Sequence, residues 1–193
     1  MRKSLLRSAV SLSFVFIIII IGKYVIIAQS PITGEWKADT RSEHVEKADK
    51  LYLSFKRQTQ WGKNQNGSTY SYDELRGLTK QQAEAGGSVR FSLAREAGTI
   101  ECEGAFAGGK GSGTFTFTSN RSFVDAMRAR GFDFEKDSGN GKHDDLDSRL
   151  FTAAMVNVTT ALADDLKTAN FGDLDVGDLL KAAIFKVDSK FMA

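Results

Sequence analysis

The chain has only one cysteine, Cys102, among its 193 residues. A single cysteine excludes an internal disulfide framework, so the fold must depend on its apolar core. Cys102 alternates with Ile100 and Phe106 in a segment that has the periodicity of a strand. This pattern predicts a buried, inert thiol rather than a nucleophile.

Histidine is almost as scarce. His44 and His143 lie in polar segments without the spacing of metal ligands. The HVEKAD segment at His44 lacks the second histidine of the H-E-x-x-H zinc motif. Ser42, His44 and Asp49 have the residue types of a hydrolytic set, but closeness in sequence does not indicate a triad. We therefore expect no metal, no cofactor and no enzymatic activity, with an uncharacterised hydrolase as an alternative.

The chain also lacks a strong charge of either sign. It has 26 basic and 24 acidic residues, a net charge of +2. Four basic residues precede the first acidic residue, Glu35: Arg2, Lys3, Arg7 and Lys23. Without them the balance is 22 minus 24, or −2. This balance gives no support to nucleic acid as a partner.

Residues 1–28 have the pattern of a signal peptide. The basic start MRKSLLR precedes an apolar run, and Ala28 is the small residue before the expected cleavage point. The run is about 14 residues, shorter than the roughly 20 of a membrane-spanning helix. The alternative is an uncleaved N-terminal membrane anchor, with Lys23 reaching the interface by snorkelling. Both predict an extracytoplasmic chain, either periplasmic or secreted or single-pass membrane-anchored, that contacts the membrane only through this segment.

Residues 29–135 are predicted to form an antiparallel β-rich domain of an α+β protein. Apolar and polar residues alternate as in a sheet with one wet face. The clearest segments are LYLSFKR (51–57), SVRFSLAR (88–95) and GTFTFTS (113–119). Turns are predicted at Asn66-Gly67 and at Glu96-Ala97-Gly98. Asp73 is predicted to cap a short helix that ends at Gly77.

From Ser119 the period becomes helical. Phe123, Val124 and Met127 share one face of a predicted helix that ends near Gly131. Residues 136–145 are predicted to be an acidic linker because the segment is polar and acidic. The segment from Asp133 resembles a calcium loop but lacks the glycine and the final glutamate that such a loop requires.

Residues 146–193 are predicted to be a helical, repeat-like tail. Thr159 or Thr160 is expected to cap one helix and Asn170 to close it, while Asp175 and Asp178 form a capping box for the next. NVTTALADDL and KVDSKFMA align with a period of 29 residues, so a single repeat unit must lean on the strand domain.

The stretch GAFAGGKGSG (104–113) comes close to a phosphate-binding loop, but Gly111 stands where that loop has serine or threonine. A phosphate loop is followed by a helix, whereas Phe115 and Phe117 alternate here as in a strand. The stretch is therefore predicted to connect a hairpin, with Lys110 exposed at its tip.

Several segments together resemble a poorly characterised bacterial extracytoplasmic module. This module is found attached to membrane metallopeptidases of the beta-lactam-sensor type and in free-standing secreted proteins. The resemblance is carried by ITGEW (32–36), DELRGL (73–78), the block from 90 to 117, the SFVDAMRARGF helix and the tail. The tail departs from the family pattern at Asn157, Thr160 and Asn170, and the zinc peptidase portion is absent. The resemblance implies a non-catalytic interaction or sensing module.

A second, shorter resemblance is to lipocalin-type barrels, whose G-x-W motif matches GEW with Trp36. It implies a small apolar-ligand-binding barrel. The helical tail leaves few strands for a closed barrel, so we expect Trp36 to be a core residue of a first strand.

The predicted partner is an unknown protein or cell-envelope component. Trp61, Tyr70 and Tyr72 flank the predicted Asn66-Gly67 turn, and aromatic side chains near a loop are typical interface anchors. Alternatively, Trp61 and one tyrosine simply cover the sheet. Glu101 and Glu103 lie two apart on the wet face of a strand, where they favour solubility rather than catalysis.

Overall fold

The computed structural model describes residues 31–45, 49–59, 62–136, 145–169 and 172–187. Pro31–Ala193 form one compact unit. The predicted leader, 1–28, lies outside the described residues, as does most of the predicted linker, 136–145. Within the described ranges, no helix is both long and apolar enough to cross a membrane.

In the described ranges, seven strands form one antiparallel sheet. They are β1 (Ile32–Asp39), β2 (Lys50–Thr59), β3 (Gly62–Ser71), β4 (Leu75–Arg76), β5 (Gly87–Arg95), β6 (Gly98–Ala107) and β7 (Lys110–Ser119). Their spatial order is β3-β2-β1-β7-β6-β5-β4, so β3 and β4 are the two edge strands. The sheet is open. It therefore does not form the closed barrel that the G-x-W resemblance implies.

Five α-helices accompany the sheet in the described residues. They are α1 (Lys80–Ala85), α2 (Arg121–Ala129), α3 (Leu146–Met155), α4 (Thr160–Thr168) and α5 (Val176–Phe185). One antiparallel sheet with separate short helices, three of them in the tail, confirms the α+β class.

The two faces of the sheet differ as the alternation predicts. One face carries large apolar side chains that are almost completely buried, among them Trp36, Phe91 and Phe115. The other face carries Thr114, Thr116 and acidic or basic side chains, which stay in contact with solvent. Trp36 is therefore a core residue of the first strand, as expected.

Helix α3 covers the apolar face. The ring of Phe151 stacks on Phe115 at a centroid distance of 5.4 Å and meets Phe55 and Phe117 edge-on. Arg57 donates a hydrogen bond of 2.9 Å to the buried hydroxyl of Ser148 at the start of the same helix. The tail thus packs against the sheet through an aromatic cluster and a polar contact beside it.

The helix ends in the tail follow the sequence signals. The Thr159 hydroxyl accepts the Leu162 N–H and caps α4, and the predicted capping box joins Asp175 and Asp178 at the start of α5. Asn170 lies outside the described residues.

Helices α3 and α5 also end alike. Asn157 and Lys186 both have a positive φ, near 58° and 54°. In each case the next residue donates its N–H to the carbonyl five residues earlier, at 2.9 Å: Val158 to Ala153, and Val187 to Ala182. Asn157 and Lys186 are 29 residues apart, as are Val158 and Val187. This spacing equals the period of the predicted repeat, and the repeat itself remains a prediction.

The segment after β3 differs from expectation. Ser71, not Asp73, is the N-cap, and Glu74 completes a capping box around a single 3-10 turn, Tyr72–Glu74. Leu75 is buried and pairs with Leu93 of β5. The predicted helix ending at Gly77 is therefore wrong, because burying Leu75 in the sheet ends the helical turn early.

Candidate functional site

The glycine-rich stretch 104–113 is a tight hairpin. Strands β6 and β7 pair up to Ala107 and Lys110, so Gly108 and Gly109 alone form the connection. Both glycines have a positive φ, 58° and 78°, as a two-residue hairpin turn requires. A strand follows this turn, not a helix, so the geometry is not that of a phosphate loop. Lys110 is the first residue of β7, and its side chain is 78% exposed.

Two of the other glycines of this stretch, Gly104 and Gly111, make room for Trp36. A Cβ at Gly104 would lie 2.7 Å from Cζ2 of the indole and would also clash with the Ser112 carbonyl oxygen. A Cβ at Gly111 would lie 2.8 Å from Cζ3 of the same ring. The indole Nε1 donates a hydrogen bond of 3.2 Å to the Glu103 carbonyl oxygen. The glycines are therefore explained by packing.

The predicted turn at Asn66-Gly67 is wrong. These residues lie in the middle of β3, where Asn66 pairs with Phe55 and Gly67 with Ser54. The last pair of the two strands is instead Thr59 with Gly62. At Gly67 the ring of Tyr52 occupies the side-chain space, since a Cβ there would lie 2.7 Å from Cζ of Tyr52. Gly67 thus accommodates a neighbouring ring and does not form a turn.

The three proposed aromatic anchors have different surroundings. Trp61 lies outside the described residues. Tyr70 is buried, and its hydroxyl donates a hydrogen bond of 3.1 Å to the Met155 carbonyl oxygen at the end of α3. Burial raises the pKa of Tyr70 above its ordinary value. Tyr70 therefore links β3 to the tail instead of presenting its ring to solvent.

Tyr72 is half-buried at the start of the 3-10 turn. Its hydroxyl oxygen is buried and has no hydrogen-bond partner among the described residues. Burial, with a contribution from the Glu84 carboxylate, raises the pKa of Tyr72. The ring packs against the core, so most of its apolar surface is already used.

The other groups considered for catalysis or metal binding lie as follows in the described residues. Among the described residues, no hydrogen bond joins the side chains of Ser42, His44 and Asp49: the Ser42 hydroxyl accepts the backbone N–H of His44, and Asp49 offers its backbone carbonyl to Tyr72. Cys102 is buried as predicted, and burial raises its pKa. In the described part of the chain, no group of three potential metal ligands is found.

Glu101 and Glu103 lie on the solvent-facing side of β6, as expected from the sequence. Glu103 forms a 3.1 Å ion pair with Arg90 of β5, and both side chains are exposed. Both carboxylates line an open depression on this face together with Thr114 and Thr116. An exposed ion pair of this kind contributes little to stability. The two carboxylates lie on the same strand and do not face each other across a cleft, as those of a glycosidase do.

Two concave surfaces lie at the tail. The first is a groove of about 730 Å³ between β3 and helix α5. Its strand side includes Asn66, Ser68 and Tyr70, and its helix side includes Ile184 and Val187. We call it the strand groove.

The second surface is smaller and almost entirely apolar. It has a volume of about 240 Å³ and is formed by Leu166, Leu174, Ala182, Phe185 and Val187, with Asp178 and Lys181 at its border. Phe185 is 72% exposed. We call this surface the Phe185 cleft.

Sequence reasoning did not find these two surfaces. Ile184 and Phe185 are the large apolar side chains that the described structure leaves exposed. A signal for them was present in the run AAIF (182–185) at the end of α5. The buried face of this helix consists of Val176, Leu179 and Ala182, so Ile184 and Phe185 are additional apolar residues outside that face. No protein-family model, curated protein or solved structure matches this chain.

Proposed function

We propose that the protein is a non-catalytic extracytoplasmic interaction or sensing module that binds a protein of the cell envelope through the Phe185 cleft. The observation that carries this proposal is the exposure of Phe185, 72%, beside an apolar cleft. Contiguous exposed apolar surface bordered by polar residues is typical of protein interaction sites. A buried aromatic anchor is a common source of binding energy in such interfaces.

The size of the cleft favours a protein side chain over a small molecule. Its volume of about 240 Å³ lies below the roughly 300–1,000 Å³ of ordinary ligand pockets. Its lining offers apolar contacts from Leu166, Leu174 and Val187, with few polar groups to orient a metabolite. One or two apolar side chains of a partner fit this space, with Phe185 packing beside them.

The border of the cleft is charged. Lys181 donates a hydrogen bond of 3.0 Å to Asp178. This hydrogen bond lowers the pKa of the Asp178 carboxyl and raises the pKa of Lys181, so both groups are charged at neutral pH. A polar border around an apolar centre is the usual anatomy of a protein interface.

The sequence supports the same function. The leader 1–28 predicts an extracytoplasmic location. The resemblance to the module attached to membrane metallopeptidases implies interaction or sensing rather than catalysis. Trp61 remains a predicted anchor, whereas Tyr70 is no longer a candidate because its ring and hydroxyl are already engaged.

The experiment places a photo-crosslinking amino acid at Phe185 in the full chain, expressed in cells that make it naturally. The matched control carries the same amino acid at Gln81, an exposed position on α1 far along the chain from the tail. We expect one specific envelope protein to be crosslinked from position 185 and not from 81. That protein is then purified, and its affinity for the wild-type chain is measured.

The variant Phe185→Asp decides the outcome. It removes the aromatic anchor and adds a charge to an apolar cleft, so it should weaken binding of the purified partner at least about 30-fold, since a hot-spot residue contributes about 2 kcal/mol or more. The variant Gln81→Asp should bind as the wild type does. Equal binding by wild type and Phe185→Asp, with the fold intact, would exclude the Phe185 cleft as the binding surface.

A further inference from the structure

Strand β3 has an unpaired edge. All ten of its residues pair with β2 on one side, and within the described residues no strand lies on the other side. Residues 63–68 are exposed. Because alternate N–H and C=O groups of an edge strand point away from its neighbour, β3 presents a row of free hydrogen-bonding groups.

This edge carries few of the features that usually prevent strand pairing. Such edges are commonly short, charged, bulged or interrupted by proline. The opposite edge of this sheet, β4, has only two residues. By contrast, β3 pairs with β2 over ten consecutive positions without a bulge, and Lys63 is its single charged residue.

The strand groove lies beside this edge. It offers about 730 Å³ between β3 and α5, and Ile184 on its helix side is 54% exposed. A strand added to β3 would therefore find main-chain partners on one side. Its inward-facing side chains would lie against Met155, Ile184 and Val187.

We propose that β3 pairs with the β3 strand of a second copy of this chain, antiparallel and around a two-fold axis at Asn66. The two sheets then form one continuous sheet across the dimer. The opposed residues would be Asn66 with Asn66, Gln65 with Gly67, Asn64 with Ser68, and Lys63 with Thr69. No like charges meet in this register, because Lys63 is the only charged residue of β3 and lies opposite Thr69, so the edge is compatible with an identical strand of a second copy. A two-fold axis perpendicular to the sheet keeps both helical layers on the same side.

The first test measures the oligomeric state of protein purified after expression of the full chain. Sedimentation equilibrium is run on the wild type and on Gln65→Pro and Asn66→Pro. The N–H groups of adjacent residues point to opposite sides of a strand, so one proline removes an outward N–H and the other removes a bond to β2. We expect a wild-type dimer, and loss of the dimer in the proline variant that keeps the wild-type melting temperature. A wild type that is monomeric at all concentrations, or a dimer that survives both prolines, would overturn the proposal.

The second test reads out the register. Asn66→Cys places two thiols opposite each other on the axis, while Gln81→Cys is a matched exposed control on α1. Cys102 is buried and does not compete. Oxidation should convert Asn66→Cys to a covalent dimer at least tenfold faster than Gln81→Cys. Equal rates would contradict the two-fold pairing.

These tests are independent of the proposed function. Phe185→Asp should leave the dimer intact, because Phe185 lines the other surface. The proline variant that abolishes the dimer should still bind the envelope partner. A separate failure of either result identifies which proposal is wrong.

Discussion

The β6–β7 and β2–β3 hairpins are both made of ten-residue strands in unbroken register, and both contain glycines within the strands. In β6–β7, Gly104 and Gly111 lie against the indole of Trp36, and the apolar side chains of these strands are buried. In β2–β3, Gly67 lies against the half-buried ring of Tyr52, and most residues of β3 are exposed. One hairpin belongs to the core, and the other carries an open edge.

The difference shows that the cost of replacing a glycine in a strand depends on the atoms that occupy its side-chain space. Gly104 meets a fixed carbonyl and a buried indole, whereas Gly67 meets the end of a movable side chain. Substitution by alanine should therefore lower the free energy of unfolding much more at Gly104 than at Gly67.

The largest effect is expected for Gly104→Ala. Its Cβ would clash with the Ser112 carbonyl and press on Trp36, so the free energy of unfolding should fall by about 3 kcal/mol or more. The matched variant is Gly67→Ala, which should cost about 1 kcal/mol or less because Tyr52 can move. Chemical denaturation measures both. Adding Tyr52→Ala should restore Gly67→Ala, whereas Trp36→Ala should fail to restore Gly104→Ala; equal losses in the two hairpins would contradict the contrast.

The next effect is expected for Phe151→Ala, which removes the ring that joins the tail to the sheet. Loss of a ring packed against Phe55, Phe115 and Phe117 should lower the free energy of unfolding by about 3–5 kcal/mol. The tail and the sheet should still unfold in one transition, followed by circular dichroism and by tryptophan fluorescence. Two separate transitions in the wild type would show that the tail does not depend on the sheet.

Alkaline pH should destabilise the core through Cys102 and Tyr70. Burial raises both pKa values from the ordinary 9.0 and 10.0, so the folded state keeps protons that the unfolded state releases. The stability these groups contribute is complete below the ordinary pKa values and is lost as pH rises above them, by about 1.4 kcal/mol per pH unit for each group. Cys102→Ala should show a shallower decline above pH 9. Parallel pH profiles for the two proteins would exclude Cys102 as a cause.

A smaller effect is expected for Tyr70→Phe, which deletes the hydroxyl that bonds Met155. The free energy of unfolding at neutral pH should fall by about 1 kcal/mol, the net value of one hydrogen bond. Tyr52→Phe is the matched control on the solvent-facing side of the neighbouring strand. A loss no greater than that of the control would show that the hydroxyl does not anchor the tail.

The smallest effect is expected for Lys110→Gln. The side chain is exposed, and its 4.0 Å approach to Asp39 is a weak surface ion pair. Such pairs contribute about 0–1 kcal/mol, so stability should change very little. Acylation of Lys110 should also proceed equally with and without ATP, followed by mass spectrometry. Protection by ATP would revive the nucleotide interpretation.

Much of the fold was readable from local patterns. The alternation in SVRFSLAR and GTFTFTS identified β5 and β7, because those strands bury one face and expose the other. The capping residues Thr159, Asp175 and Asp178 identified helix starts, because a cap acts within three residues of sequence.

The rest depended on distant contacts. Asn66-Gly67 has the local signature of a turn, but pairing of β3 with β2 and the ring of Tyr52 determine its conformation. β3 is polar throughout most of its length, so no alternation marked it as a strand. The exposure of Ile184 and Phe185 depends on which helices and strands pack against α5. The apolar periodicity of a helix does not indicate which elements will cover it.

The main structural contrast in the molecule is between the closed core hairpin, β6–β7, and the open edge at β3. Amide hydrogen exchange by NMR tests it most directly, at concentrations low enough to keep the chain monomeric. We predict slow exchange for the paired amides throughout β6 and β7, and an alternation of slow and fast amides from Lys63 to Thr69, since only every second N–H of β3 bonds to β2. Uniformly slow exchange along β3 in the monomer, or fast exchange in β6 and β7, would contradict the account.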